Sequence, residues 1–379
     1  MERRDFLAMA ALLGFSTLAT PNVLQASTSR RVIVIGAGAA GLTAGYCLRQ
    51  RGMDFQILEA SNTFGGRMKR NLGFADFPLP MGAEWLHVSP RIFKQIVGNR
   101  AVNVALPTVG YKRDDSFAHW DGNVLKRSRM GGETDRKFVN SSWLDFFEQY
   151  IFPAISDRIQ FQNPVTVIDT SGARAFVQTR SGETFTADDI IVTAPLKMLQ
   201  ERRISFVPPL PRSKSNAINR AKVWDGYKAF LEFNASFYPA YTEVKVTPKS
   251  AGQLGFYDAA YGQNTQRHIL GVFAVGSAAK PYLGLPEAAT ARKILGRLDE
   301  IFDRAATPKF RKIVTQDWSN EPFIGGAYLQ DHENWKRVRQ LGNPVGPHLH
   351  FAGEAYTDGE DWGSVHAAAL AAKKVVDRM

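Results

Sequence analysis

Val32-Ile33-Val34-Ile35 leads without a break into Gly36-Ala37-Gly38-Ala39-Ala40-Gly41, and the reading of these ten residues decides the fold. Four β-branched residues in a row suit a strand buried on both faces, as in a parallel sheet. The G-x-G-x-x-G spacing then gives each glycine a task. Gly36 permits a tight turn, Gly38 lets the backbone approach a pyrophosphate, and Gly41 lets the following helix pack close to the sheet. That helix, with Ala40 in its first turn, aims unpaired N–H groups at phosphate.

A second apolar strand, Phe55-Gln56-Ile57-Leu58, ends in Glu59, near the position about twenty residues onward where a carboxylate accepts hydrogen bonds from ribose hydroxyls. An acid there favours an unphosphorylated ribose, hence FAD or NAD over NADP. Gly65-Gly66-Arg67 follows, a loop suited to lie against a diphosphate with a guanidinium to neutralise it.

The chain of 379 residues is long enough for two to three domains and a sizeable core. Its 44% hydrophobic and 22% charged residues exclude a disordered or collagen-like chain, and its single cysteine, Cys47, excludes an internal disulfide. A net charge of +11 raises the question of an anionic partner, but no zinc-finger spacing, long basic block or metal-ligand cluster supports nucleic acid or metal binding. There is no internal repeat. The uncharged run 32–48 contains four glycines and is shorter than the roughly 20 residues a bilayer span needs, so it reads as strand, turn and helix.

The first 29 residues read separately. Met1-Glu2-Arg3-Arg4-Asp5-Phe6-Leu7 and the uncharged stretch 8–29 resemble a twin-arginine signal, with Glu2 where Ser or Thr is usual and Ala8 where Lys is usual. The expectation is export of an already folded protein by the twin-arginine machinery to the periplasm. A disordered leader or an uncleaved anchor is the alternative.

Further motifs follow in order: Gly82-Ala83-Glu84-Trp85-Leu86-His87, Val165 after Asn163-Pro164, Lys228 in Gly226-Tyr227-Lys228-Ala229-Phe230, Trp318, Gly325-Gly326-Ala327-Tyr328, and Phe351-Ala352-Gly353-Glu354 with Gly363-Ser364-Val365-His366-Ala367 behind it. Together with Glu59 and Gly65-Gly66-Arg67, this series resembles the flavin-dependent amine oxidase family over nearly all of the chain after Arg31.

The resemblance implies an α/β fold: a Rossmann-like FAD-binding domain from 30–87, 155–207 and 341–379, and an α+β substrate domain, mainly antiparallel sheet, from 88–154 and 208–340. It implies FAD held by Gly36, Gly38, Ala40, Gly41, Glu59, Gly66, Arg67, Gly82, Ala83, Glu84, Trp85, Val165, Trp318, Gly353, Glu354, Ser364 and Val365. Lys228 is the implied catalytic residue, matching a lysine that holds a water against flavin N5. Tyr328, His87, Ser364 and Trp362 are the implied substrate side. Ser364 stands where monoamine oxidases have a second cage tyrosine, which leaves the aromatic cage half-built. The implied reaction takes the CH–NH group of a small amine to an imine, with hydride passing to N5 and reoxidation by O2 or another, periplasmic, acceptor.

Two departures shape the expectation. Ala327 replaces the cysteine of covalently flavinylated members, so the flavin is expected to be noncovalent. The stretch between His87 and Val165 is far shorter than usual, with helices expected at 90–97 and 142–151 and a reduced lid. Glu354, Asp358, Glu360 and Asp361 are expected either to offset the positive charge beside the flavin or to form a solvated loop. A C–C desaturase of the same fold, or a flavin-binding assembly factor, stays open beside the amine reading. The substrate and the oligomeric state are not legible.

Overall fold

The computed structural model describes residues 30–379, so the proposed leader lies outside the described residues. Arg31–Ile35 forms a strand whose Val32, Ile33 and Val34 are completely buried, as a β-branched run between two covered faces requires. It stands at the centre of a five-stranded sheet in the order Leu349–Phe351, Asp189–Val192, Arg31–Ile35, Asp54–Leu58, Ile159–Gln160, with every pairing parallel. Helix Ala39–Gln50 packs between this sheet and the C-terminal helix Val365–Asp377. Gly45 makes that approach close: a Cβ there would lie 2.6 Å from Ile57 Cδ1.

The strands of 164–193, within the expected FAD-binding domain, do not all join this sheet. Val165–Asp169, Ala175–Thr179 and Thr184–Ala187 form an antiparallel meander, joined by Ser205–Val207 into a separate four-stranded sheet. The reason is connection length. The links between these strands are short turns, and a parallel neighbour needs a crossover of a dozen residues or more. Only Asp189–Val192 continues into the parallel sheet.

The second large unit is a seven-stranded sheet in the order Phe310–Asp317, Gly226–Phe233, His268–Gly276, Gly252–Asp258, Tyr241–Val244, Ser116–Trp120, Leu125–Arg129. One face is covered by helix Glu287–Ile301, whose Ile294, Leu295, Leu298 and Ile301 recur at helical spacing into a common core with Leu231, Val272 and Ala274. The expected helices at 90–97 and 142–151 are present as Arg91–Val97 and Trp143–Tyr150. The residues between them do more than shorten a lid. Ser116–Trp120 and Leu125–Arg129 form a hairpin that extends the sheet, with Ser116–Trp120 running parallel to Tyr241–Val244. Among the described residues, no helix is long and apolar enough to cross a membrane.

Candidate active site

The carboxyl ends of the parallel strands face the antiparallel sheet across a cleft of about 2090 Å³. This is about twice the upper end of an ordinary small-molecule site, which suits a dinucleotide and a second ligand together. Its wall includes Gly36, Gly38, Ala40, Glu59, Gly66, Arg67, Gly82, Ala83, Glu84, Trp85, His87, Val165, Lys228, Trp318, Tyr328, Gly353, Glu354, Trp362, Ser364 and Val365. The sequence-derived site residues thus converge, except Gly41, which lies beneath the turn.

The three glycines divide their work. Gly36 has φ +102°, a conformation open to glycine, and Thr193 Oγ1 donates to the carbonyls of Ile35 and Gly36 beside it. A Cβ on Gly41 would fall 1.8 Å from Gly36 O, whereas one on Gly38 would meet nothing within 4 Å. Gly38 therefore keeps open space in the cleft that the protein itself does not fill. Helix Ala39–Gln50 begins there with no side-chain cap, leaving its first N–H groups for an anion. Glu59 is fixed by the N–H of Ala37 at 2.6 Å and by the N–H and hydroxyl of Ser61 at 2.9 and 2.8 Å. Glu59 itself lines the cleft.

Several side chains have partners that the sequence does not reveal. Arg67 pairs with Glu354 at 3.0 Å and donates to the Ala327 carbonyl, so it ties the Gly65-Gly66 loop to the C-terminal segment as well as lining the cleft. Glu354 spends its other oxygen on the Leu329 N–H at 3.2 Å. The paired guanidinium and carboxylate both line the cleft. Ser364 lines the cleft and is the N-cap of helix Val365–Asp377, accepting from the Ala367 N–H at 3.1 Å. The acidic run is largely paired: Asp358 with Lys374, and Asp361 with His366 at 2.7 Å.

The chemistry-bearing cluster is built around Glu84. Lys228 Nζ lies 2.6 Å from its Oε2, Lys137 Nζ 3.2 Å from its Oε1, and the Tyr257 hydroxyl also donates to Oε2. Burial disfavours charge on Glu84, but the two lysines beside it, with the hydrogen bonds from Lys228 and Tyr257, outweigh burial and hold the carboxyl below its ordinary range. Lys228 is 3% exposed, which excludes a solvated strand lysine. It donates to Gly82 O at 2.8 Å and lies 5.4 Å from the centre of the Trp85 ring. Trp318 donates its indole N–H to Met81 O at 2.9 Å, and its ring edge would stand 2.8 Å from a Cβ on Gly82. Tyr328 stacks edge-on to Trp224 at 5.7 Å, and Trp362 donates to Gln330 O at 2.9 Å. His87 meets both Asp135 oxygens at 2.9 Å. Burial opposes its charge, but Asp135 prevails and raises the imidazole above its usual range.

Lys137 and Tyr257 were not singled out in the sequence. Lys137 sits between Arg136 and Phe138 with no motif around it, and Tyr257 is one aromatic residue in an apolar strand.

Residues 149–379 match the family model described as flavin containing amine oxidoreductase, and residues 34–97 match an NAD(P)-binding Rossmann-like domain. Probable polyamine oxidase 4 of Arabidopsis thaliana is 24% identical over 92% of this chain and 86% of its own length. Lysine-specific histone demethylase 1B of Mus musculus is 24% identical over 86% of this chain, which spans only 50% of that relative. A solved structure of wild-type putrescine oxidase bound to putrescine shares the fold at TM-score 0.73 and 16% identity, covering 92% of this chain and 98% of that one.

FAD fits the residues present. The open space at Gly38, the uncapped helix start and the oriented Glu59 are the elements a dinucleotide needs. Glu59→Ala is expected to weaken FAD retention by about 1.5–3 kcal/mol, or roughly 10- to 100-fold, the worth of a charge-assisted hydrogen bond; equilibrium dialysis of the flavin measures it. Ala327 offers no sulfur, and Cys47 is buried in helix Ala39–Gln50, away from the cleft wall. Acid precipitation of the flavin-loaded enzyme is therefore expected to leave no flavin on the chain.

Proposed function

The chain belongs to the flavin containing amine oxidoreductase family, and from that premise we propose that it oxidises the CH–NH group of a small cationic amine to an imine. Bound FAD would supply the hydride acceptor. The observation that carries the reading is the buried Lys228–Glu84 pair opening onto the same cleft as the dinucleotide glycines.

The roles of the other residues follow from their positions. Trp318 and Trp85 form apolar walls whose N–H groups are already directed elsewhere, so the cleft between them sheds water. Tyr328 offers a π face that tolerates a cation. Glu133, Asp135, Asp331 and Asp361 line the cleft and favour a cationic substrate over a neutral one, despite the overall charge of +11. Polyamine oxidase relatives make aliphatic diamines and polyamines the first substrates to try. Lys228, which lines the cleft, orients a water or substrate nitrogen there. A C–C desaturase has no need of a buried amine at this place, and an assembly factor has no need of a cleft this large.

The test is peroxide formation by the flavin-loaded enzyme in air with a panel of amines, polyamines and amino acids. Peroxide with an amine supports the reading and O2 as acceptor. Flavin reduction by an amine without peroxide supports it with another acceptor. Neither outcome with any amine refutes it.

A further inference from the structure

Two buried lysines share one carboxylate, and counting donors against acceptors shows how these groups divide their charge. The side chains of Lys137, Lys228 and Glu84 are each 3% exposed. Lys137 Nζ donates to the carbonyls of Asp258 at 2.9 Å and Ala259 at 3.0 Å and has Glu84 Oε1 at 3.2 Å. All three N–H bonds of an ammonium thus have an acceptor. Among the described residues, Lys228 Nζ has two acceptors, Gly82 O and Glu84 Oε2. A neutral amine has two N–H bonds and one lone pair, so it satisfies both acceptors and leaves the lone pair in the remaining direction. With Lys137 charged, Glu84 charged and Lys228 neutral, the cluster carries no net charge. With both lysines charged, one positive charge would be buried without a counter-ion, which is costly.

We propose that Lys137 is a positioning residue that holds Glu84 as its own counter-ion and leaves Lys228 a neutral amine, whose lone pair faces the cleft and takes the proton of the bound ammonium substrate. This rests on Lys228 standing at the reacting part of the cleft. The step is a proton transfer alone: an N–H bond of the substrate R–NH3+ breaks, an N–H bond forms on Lys228 Nζ, and R–NH2 and a Lys228 ammonium result. No electron pair leaves either molecule. It is needed because the carbon beside an ammonium nitrogen cannot release hydride until that nitrogen has its lone pair.

The surroundings of Lys228 fit both states. Burial lowers its proton affinity and Lys137 adds to that, while Glu84 opposes them. The rings of Trp85, Phe230 and Tyr257, 5.4, 5.5 and 5.9 Å from Nζ, stabilise the ammonium once it forms. The other titratable groups around the cluster are the hydroxyls of Tyr257, Tyr111 and Tyr241, all pushed up by burial and neutral, and Asp258, whose carboxyl burial also raises.

The test is an NMR titration of flavin-loaded enzyme labelled at lysine Cε, across the neutral to alkaline range, with signals assigned through Lys228→Met and Lys137→Met. In the wild type the Lys228 signal is expected to titrate below the ordinary lysine range. Lys137→Met is expected to raise the proton affinity of Lys228 about tenfold or more, one pKa unit, and to move the rise of the amine-driven flavin bleaching rate to higher pH by the same amount. Lys137→Arg keeps the charge and is expected to restore the wild-type profile. Should Lys137→Met not fold, the wild-type Lys228 titration decides alone. A Lys228 signal that titrates in the ordinary lysine range, or a Lys228 titration unmoved in Lys137→Met, overturns the proposal. Amine bleaching with either of those results leaves the amine oxidase reading standing, and absence of bleaching with the expected titrations refutes that reading while leaving the charge assignment intact.

Discussion

Lys228→Met is expected to keep FAD bound and to slow amine-driven flavin reduction by about 100-fold or more, the usual contribution of a positioned acid–base group. The substitution removes the cleft-facing nitrogen while leaving the dinucleotide glycines and Glu59 untouched. The fold tolerates it because Glu84 retains Lys137 as a partner, one charge against one, together with the Tyr257 hydroxyl. An unbranched methionine fills a similar volume between Trp85 and Phe230. Stopped-flow reduction under argon gives the rate, and bound flavin absorbance confirms loading. A rate equal to wild type would return Lys228 to a purely structural role.

Gly41→Val is expected to abolish FAD retention and to destabilise the protein by about 3 kcal/mol or more, because overpacking against backbone has no flexible side chain to yield. The new Cβ would fall 1.8 Å from Gly36 O and 2.9 Å from Gly36 C, so helix Ala39–Gln50 must withdraw from the turn. Gly38→Ala is the informative comparison. Its Cβ meets no protein atom within 4 Å, so stability without flavin stays at the wild-type value while flavin retention falls. Urea unfolding of the flavin-free chains, paired with flavin binding, separates the two effects.

The local pattern 32–41 carries its own geometry, which is why the parallel sheet, the phosphate turn and the position of Glu59 were legible in the sequence. Each depends on residues adjacent in the chain or one βαβ unit apart. That the meander 165–187 forms a sheet of its own was not legible, because an apolar alternating strand looks alike in either sheet, and only the short turns between its strands distinguish them. The hairpin 116–129 was missed because Leu125–Arg129 is an edge strand bearing Lys126, Arg127 and Arg129, a composition that resembles a loop. Strand Phe310–Asp317 was missed for the same reason, with Arg311 and Lys312 exposed on it.

In the site, the glycines and aromatics were legible because their types are specific to their tasks. The partners of charged groups were not, since Arg67 with Glu354 and Lys137 with Glu84 are joined only by folding. No spacing in the chain announces that Glu84 answers to two lysines from two distant strands.

The most direct test of the central claim is to mix the flavin-loaded enzyme with single amines under argon and follow the oxidised flavin absorbance. The account predicts bleaching by an aliphatic amine, fast for wild type, slow for Lys228→Met, with the imine or its aldehyde hydrolysis product recovered in amounts equal to the flavin reduced. A flavin that dithionite reduces but no amine bleaches, or that is bleached by a substrate whose product is a carbon–carbon double bond, would contradict it.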